Sequence, residues 1–377
     1  MKSPNYYTIP LCLTHKCNLN CIYCFEKHDS THEMSYETAV KCIDYVCDIV
    51  EKDSTIEILF FGGEPLLCFD LIQRIFEYVV NLNVSQKCRF FASTNGVLLT
   101  TEMKLWFKER SDVFVLGLSL DGTPRSHNIN RSNSYDKIDI DFFRETWPAQ
   151  NIKMTVSEHS LENYAGDVLF LHSLGFGING GDICLGDSTW QNKNVLELFC
   201  KQLLRLIDYY ADEENALYNA LINNIDIAQC AVPKKKTKQC GIGDKVMFFD
   251  TDGRRYPCTF ITPMTFSQDI LKQLENVNFK DPEEFIDSSC FANCYLYPIC
   301  KRCPAENLLQ NKSFQIWGKE RCGFTEVLAL VISEIEARKI IKNPSIYDNT
   351  RLYYTIEAIK TIRDLYQEKY SHIIKFE

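Results

Sequence analysis

Three cysteines near the start of the chain, in the string CNLNCIYC from Cys17 to Cys24, stand at C-x3-C-x2-C spacing. Thiolates are soft ligands for iron and zinc, and three on one tight loop can hold three irons of a cubane cluster. The fourth iron is then left without a protein ligand and can take a substrate or cofactor, as the open position of a catalytic zinc does. The competing reading is a structural zinc site, which needs a fourth ligand, with His15 and His28 as candidates. Seven more cysteines cluster towards the other end of the chain: Cys240, Cys258, Cys290, Cys294, Cys300, Cys303 and Cys322. In CGIGDKVMFFDTDGRRYPC the Asp252-Gly253 pair reads as a hairpin turn that folds Cys240 and Cys258 towards each other. Two structural zinc sites would use this ligand count as fully as two iron–sulfur clusters would.

The bulk of the sequence decides how these thiols are read. Cysteines make up 18 of 377 residues, about 5%, below the roughly 8–10% of short secreted disulfide scaffolds. The N-terminal string MKSPNYYTIPLCLTHKC has no apolar signal region, and no apolar stretch approaches the ~20 residues of a membrane span. A cytoplasmic protein is therefore expected, and clustered thiols in a reducing compartment point to metal binding or catalysis. A net charge of −9 argues against a broad nucleic-acid surface. The one basic run, Lys234 to Lys238, is broken by Thr237 and reads as a solvated linker. Cys42, Cys47, Cys88, Cys184 and Cys200 sit mostly on apolar faces and read as small buried hydrophobes, while Cys12 and Cys68 flank the first cluster.

The elements that must position these residues alternate in type. Strand-like runs occur at Tyr7–Leu13, Ile56–Phe61, Arg89–Ala92, Val113–Leu120, Ile152–Val156 and Gly177–Leu185, each bounded by turn residues. Between them, Tyr36–Lys52, Phe69–Leu82 and Asn194–Tyr210 carry apolar residues at helical spacing. Six strands alternating with helices predict an α/β fold of parallel βα units, short of the eight in a closed barrel. The expected architecture is a partial (β/α)6 barrel over residues 1–230, with the motifs at the C-terminal ends of its strands. Residues 231–325 read as a small cysteine-rich domain too thin to stand without metal, and residues 326–377 as a helical segment broken at Asn343-Pro344.

C-x3-C-x2-C with an aromatic residue before the last cysteine, here Tyr23, resembles the signature of radical S-adenosylmethionine (SAM) enzymes. The resemblance implies a partial (β/α)6 barrel whose 4Fe-4S cluster is held by Cys17, Cys21 and Cys24. It also implies that SAM chelates the open iron and is cleaved to methionine and a 5′-deoxyadenosyl radical that abstracts a substrate hydrogen. FFGGEP, Phe60–Pro65, is similar to the glycine-rich motif that holds the SAM amino group. Gly62 and Gly63 would let the backbone approach a ligand, and Glu64 could accept from an ammonium. STNG and SLDG resemble ribose- and SAM-facing segments of relatives with auxiliary clusters, which implicates Ser93, Asn95 and Ser119. Asp121 could equally serve the turn, and Arg131 matches an arginine that reaches the SAM site.

The second cysteine set resembles the SPASM extension, which holds two auxiliary 4Fe-4S clusters. Its usual middle pattern is C-x2-C-x5-C-x3-C, whereas this chain has C-x3-C-x5-C-x2-C. The resemblance implies that Cys290, Cys294, Cys300 and Cys322 hold a distal cluster, and Cys240, Cys258 and Cys303 a proximal one. The proximal cluster would then have an open iron or take Cys230 as its fourth ligand. Three clusters and SAM are thus the expected cofactors, reduced by an external donor such as flavodoxin or ferredoxin.

SPASM relatives mostly modify peptides or proteins. The expected function is maturation of a ribosomally made precursor peptide, by a thioether or carbon–carbon cross-link or a related oxidation. Anaerobic sulfatase maturation, the oxidation of Cys or Ser to formylglycine, is the alternative. Such maturases place an Asp, thought to be the general base, directly after the second SPASM cysteine. Here Thr259 follows Cys258, and a threonine cannot act as a carboxylate base near neutral pH. A non-enzymatic iron–sulfur carrier or metal-stabilised binding module is the third reading, and a carrier has no need of the GGEP motif. Sixteen residues precede Cys17, which leads to the expectation that no leader-binding domain precedes the barrel. Recognition would then fall to the barrel mouth, the helices after Glu326 or a separate leader-binding protein.

Overall fold

The computed structural model describes residues 5–26, 32–82, 84, 86–180, 182–183, 192–238, 240–319 and 321–374. His28 and Cys184 lie outside them. Two compact units divide the chain, one of residues 1–120, 127–153 and 240–280, the other of residues 121–126, 154–239 and 281–377.

The first unit is built on a sheet of strands β1 (Tyr6–Thr14), β2 (Thr55–Gly62), β3 (Lys87–Thr94) and β4 (Phe114–Leu118). They are parallel and hydrogen-bonded in sequence order. Helices Tyr36–Ile49, Phe69–Asn81 and Thr101–Lys108 make the crossovers, as parallel strands require. The first starts where the Ser35 hydroxyl accepts from the Thr38 backbone N–H at 3.1 Å, a side-chain N-cap. It stops three residues short of the sequence-based end, with Val50 in extended backbone.

Register places Ile9, Ile58, Phe90 and Phe114 in one row across the sheet. Phe60, Phe90 and Phe114 lie nearly parallel, with ring centroids 5.6–6.4 Å apart. Phe76 from the second helix sits 4.7 Å from Phe90, and Phe107 from the third 5.1 Å from Phe114. This aromatic layer is the core that holds strand ends and helices in place.

Strands β5 (Thr155–Val156) and β6 (Asp182–Ile183) are two residues each and pair in parallel as a small sheet of the second unit. The expected fifth run does alternate, with Ile152, Met154 and Val156 buried. In the first unit Lys153 bridges to Ser119 and so extends the β4 edge. The opposite edge is formed by strands β7 (Phe248–Phe249) and β8 (Arg255–Tyr256), an antiparallel hairpin whose Phe249 pairs with Leu11 of β1. The fold is thus α/β with an open, mostly parallel sheet.

The second unit is helical around Cys322–Lys342. That helix begins at the last cysteine, and its residues 327–335 are buried on every side. It packs against helices Lys193–Leu204, Ile207–Asp212 and Asn349–Tyr366. The first two correspond to the single helix expected over Asn194–Tyr210, which breaks at Arg205-Leu206. Buried Glu334 is held by Arg338 at 2.7 Å and Arg363 at 2.6 Å. The long helix therefore uses residues 327–335 inside its own unit, while Ile341 near its C-terminal end is exposed. No helix among the described residues is long and apolar enough to cross a membrane.

Replacing Phe114 by Ala removes the ring at the centre of the aromatic layer and should destabilise the protein by about 3–5 kcal/mol. Phe114→Leu should cost less than half as much. Urea denaturation followed by tryptophan fluorescence checks both, since Trp106 stands 5.6 Å from Phe114.

Candidate functional site

The first cysteine loop follows β1 directly. The Leu19 backbone N–H donates to the Cys17 thiol at 3.4 Å, and the Cys24 N–H to the Cys21 carbonyl at 3.1 Å, so the loop is a tight turn. Burial pushes the Cys17 thiol up to about 11, and Cys21, Cys24 and Glu64 are close enough to add to the rise. The three thiols therefore converge. They are not within single-ion reach of one another, because among the described residues only Cys12, His15 and Asp250 bring three such ligand atoms within 4.8 Å. Sulfurs sharing one tetrahedral zinc stand about 3.8 Å apart, given Zn–S bonds of ~2.3 Å. The wider set suits a cluster, in which each thiolate has its own iron.

Gly62 and Gly63 end β2 against this loop. Gly62 has φ +137°, and a Cβ there would stand 2.2 Å from the Thr14 carbonyl oxygen. On Gly63 a Cβ would lie 2.3 Å from the Lys16 carbonyl oxygen and 3.0 Å from the Cys17 Cβ. Only glycine lets the two backbones approach so closely. The close approach is thus made to the cysteine loop itself.

Glu64 is buried, and its carboxylate accepts from the Leu66 N–H at 3.1 Å, the Thr94 hydroxyl at 2.9 Å and the Asn95 N–H at 2.8 Å. Burial raises its pKa to about 7 against these donors and nearby Arg131, which favour the charged form. The donors are the protein's own, so Glu64 braces the ends of β2 and β3.

Asn95 carries the brace onward. Its side-chain amide donates to the Asn18 side chain at 2.8 Å and lies 4.0 Å from the Cys17 sulfur. Ser93 is half-buried on β3 opposite Gly117, and Ser119 is buried with its N–H on the Thr94 carbonyl at 2.9 Å. Arg131 is buried with its guanidinium 5.4 Å from the centre of the Tyr23 ring, a cation–π contact that ties it to the cysteine loop. Tyr23, Gly62, Gly63, Glu64, Ser93, Asn95, Ser119 and Arg131 all lie in the first unit, as do Cys17, Cys21 and Cys24.

Residues 11–140 match the Radical SAM superfamily. The chain carries a radical SAM domain. It is 30% identical over 141 residues to the radical SAM cyclopropyl synthase TigE of Paramaledivibacter caminithermalis, covering 33% of this chain and 29% of that one. It is 24% identical to a cysteine-type anaerobic sulfatase-maturating enzyme of Clostridium novyi, covering 76% and 84%. The solved structure of native anSMEcpe with bound AdoMet and Cp18Cys peptide superposes with a TM-score of 0.69 at 19% identity, covering 90% and 99%. Three curated relatives at 30% identity or more are spanned over only 29–37% of their own length.

Beneath the cysteine loop of the radical SAM domain lies a buried network that sequence reasoning did not assemble. His15 Nε2 and Asp250 Oδ1 are 2.7 Å apart across 235 positions. Cys12 is fully buried beside them, and burial, together with Glu26 and Asp250, pushes its thiol far up. Two ligands on a tetrahedral zinc with bonds of ~2.0–2.1 Å stand about 3.3 Å apart, so 2.7 Å is a hydrogen-bond distance, and His15 is not poised as a zinc ligand. The pair joins the cysteine loop to the hairpin edge. Only the adjacency of His15 to the motif hinted at it, and nothing local marked Asp250.

In the second set, the hairpin expected at Asp252-Gly253 forms, with Gly253 at φ +80°. The Gly243 N–H donates to the Pro257 carbonyl at 2.9 Å, which draws together the segments that carry Cys240 and Cys258 in the first unit. Cys303 belongs to the second unit. So do Cys290, Cys294, Cys300 and Cys322, and these four converge. Burial pushes Cys290 up to about 11, with Cys294, Cys322 and Cys300 among the neighbours that add to the rise. Cys290 and Cys294 pack against a buried group of Ile286, Tyr297, Cys300 and Trp317. Cys230 is buried beside Cys294, which groups it with this set. Cys42 and Cys200 are buried, and Cys47 and Cys88 half-buried, each with its thiol pushed up by burial.

Gly63→Ala should displace the cysteine loop, because the added methyl meets backbone rather than a flexible side chain. The expected result is loss of at least half of the iron bound at the first loop, read by anaerobic iron analysis, with far-UV circular dichroism unchanged. Ala at Gly166, where the nearest atom is an Asn163 side-chain oxygen at 3.0 Å, should leave iron content near wild type.

Proposed function

We propose that this chain is a radical SAM enzyme that modifies a residue of a peptide or protein, with one cluster at Cys17, Cys21 and Cys24 and auxiliary clusters on the second cysteine set. The observation that carries the reading is the convergence of three thiols, too widely set for one ion, against the Gly63–Glu64–Asn95 brace. Bound there, a cluster with SAM supplies a 5′-deoxyadenosyl radical for hydrogen abstraction. The chain's own residues do the holding. The three thiolates each take an iron, Gly62 and Gly63 keep the strand end against the loop, and Glu64 fixes Asn95 beside Cys17. Tyr23, Ser93, Ser119 and Arg131 complete the SAM-facing wall.

The substrate class we favour is a ribosomally made precursor peptide that receives a cross-link or a related oxidation. A peptide lies in the anSMEcpe structure, and TigE is a cyclopropyl synthase, so this scaffold accommodates such chemistry. Formylglycine formation is the second reading, favoured by the long alignment with the Clostridium novyi enzyme and opposed by Thr259 after Cys258. Cys240, Cys258 and Cys303 are assigned to the proximal cluster, and Cys290, Cys294, Cys300 and Cys322 to the distal one. Flavodoxin or ferredoxin would supply electrons, and the precursor would be recognised at the barrel mouth, with a separate leader-binding protein as the alternative.

Protein reconstituted under anaerobiosis should bind roughly twelve irons, four per cluster, and release 5′-deoxyadenosine when reduced with SAM. Replacing Cys17, Cys21 and Cys24 together by Ala should abolish release and leave roughly eight irons. Stoichiometric zinc in place of iron, or no 5′-deoxyadenosine from fully loaded protein, points instead to a metal-stabilised module or an electron carrier.

Cys294→Ala should separate the two cysteine sets. Release of 5′-deoxyadenosine should stay within about threefold of wild type while modified peptide falls by more than tenfold, both measured by mass spectrometry. Equal loss of both, with the first cluster intact, would show that the second set serves SAM cleavage itself.

A further inference from the structure

We infer that Arg302 sets the reduction potential of the distal auxiliary cluster by placing a half-buried positive charge against its thiolates. The inference rests on the assignment of Cys290, Cys294, Cys300 and Cys322 to one cluster. Arg302 lies in the two-residue gap of CKRC, between Cys300 and Cys303, and is half-buried. Its Nη2 stands 3.7 Å from the Cys322 sulfur, within reach of an N–H···S hydrogen bond, and Cys300 is a second hydrogen-bonding neighbour. Glu306, the carboxylate near it, is taken by Arg321 through two contacts, Nε to Oε1 at 3.0 Å and Nη1 to Oε2 at 3.3 Å. Cys300 and Cys322 thus act on Arg302 more strongly than Glu306, which is shared with Arg321.

The surroundings strengthen that charge. Tyr297 and Trp317 stack 5.4 Å apart at 5° over the cysteine-bearing segment, and Ile286 closes the group. On this packed side a nearby charge acts with less screening than in open solvent. Cys322 is also the first residue of a 21-residue helix, whose N-terminal dipole favours negative charge. Reduction adds one electron to a cluster that its thiolates already make anionic. A guanidinium in contact stabilises the reduced form more than the oxidised one, so the potential rises. No proton or bond change accompanies the step, and the electron comes from whichever one-electron donor is present, dithionite in the test below.

The test is an EPR-monitored redox titration with dithionite of the full chain bearing Ala at Cys17, Cys21 and Cys24, so that only iron on the second set contributes. Arg302→Gln should keep wild-type iron and lower one midpoint, with its reduction constant reduced at least tenfold, 59 mV for a one-electron couple. The other midpoint should stay in place. Arg302→Lys keeps the charge and should shift that midpoint by less than 59 mV. Full iron with both midpoints unchanged in Arg302→Gln overturns the inference and leaves the cluster assignment standing. If Arg302→Gln loses iron, Arg302→Lys decides: normal iron supports a role for charge, and loss of iron there too overturns it. A Cys300→Ala, Cys322→Ala variant that keeps all its iron would instead sink the cluster assignment.

Discussion

Glu64 is enclosed by protein, and its carboxylate is tolerated there because the Thr94 hydroxyl and the Leu66 and Asn95 backbone N–H groups reach it at 2.8–3.1 Å. A buried carboxylate without donors would be destabilising by several kcal/mol, so the three groups must be where they are for the strand ends to pack at all. They come from the turn after β2 and from the end of β3. One side chain thereby fixes two strand ends, and Asn95, placed by its own N–H on Glu64, reaches Asn18 beside Cys17. The position of the cysteine loop is in this sense a consequence of how one charge was desolvated.

The glycines supply the complementary constraint. A brace pulls β2 toward the loop, and the approach is possible only because Gly62 and Gly63 present no Cβ to the Thr14 and Lys16 carbonyls. Attraction from the carboxylate side and steric permission from the glycine side act on the same few residues. That explains why Gly-Gly-Glu occurs as a unit, since either half without the other would leave the loop unanchored or pushed away.

Much of this was readable in the sequence because it depends on local order. Cysteine spacing, strand runs ending in Gly or Asn, and the Asp252-Gly253 turn are short-range signals with a direct steric or coordination meaning. What escaped was set by residues far apart in the chain. The direction of Glu64 toward Thr94 and Asn95 depends on strand pairing, and the His15–Asp250 pair spans 235 positions. Cys230 stands beside Cys294 because a short helical turn at Ile227–Ala231 belongs to the same unit. The long helix starts at Cys322, four residues before periodicity announced it, because a cysteine and a glycine give no amphipathic signal in its first turn.

Both cysteine sets share one electrostatic difficulty. Thiols must become thiolates to hold iron, yet desolvation and mutual repulsion push Cys17 and Cys290 up to about 11. Metal binding must therefore displace protons, and any positive charge nearby lowers the barrier to doing so. Each set has an arginine in that place. Arg131 eases the charge on Cys24 and Glu64 in the first unit, and Arg302 does so for Cys322 in the second. Arg131 is fastened through the Tyr23 ring, and the segment that carries Arg302 is anchored where Arg321 clamps Glu306. An arginine offers several donors in a fixed fork, where a lysine offers a compact point charge. The same device thus answers the same physical problem at two sites built from unrelated local structures.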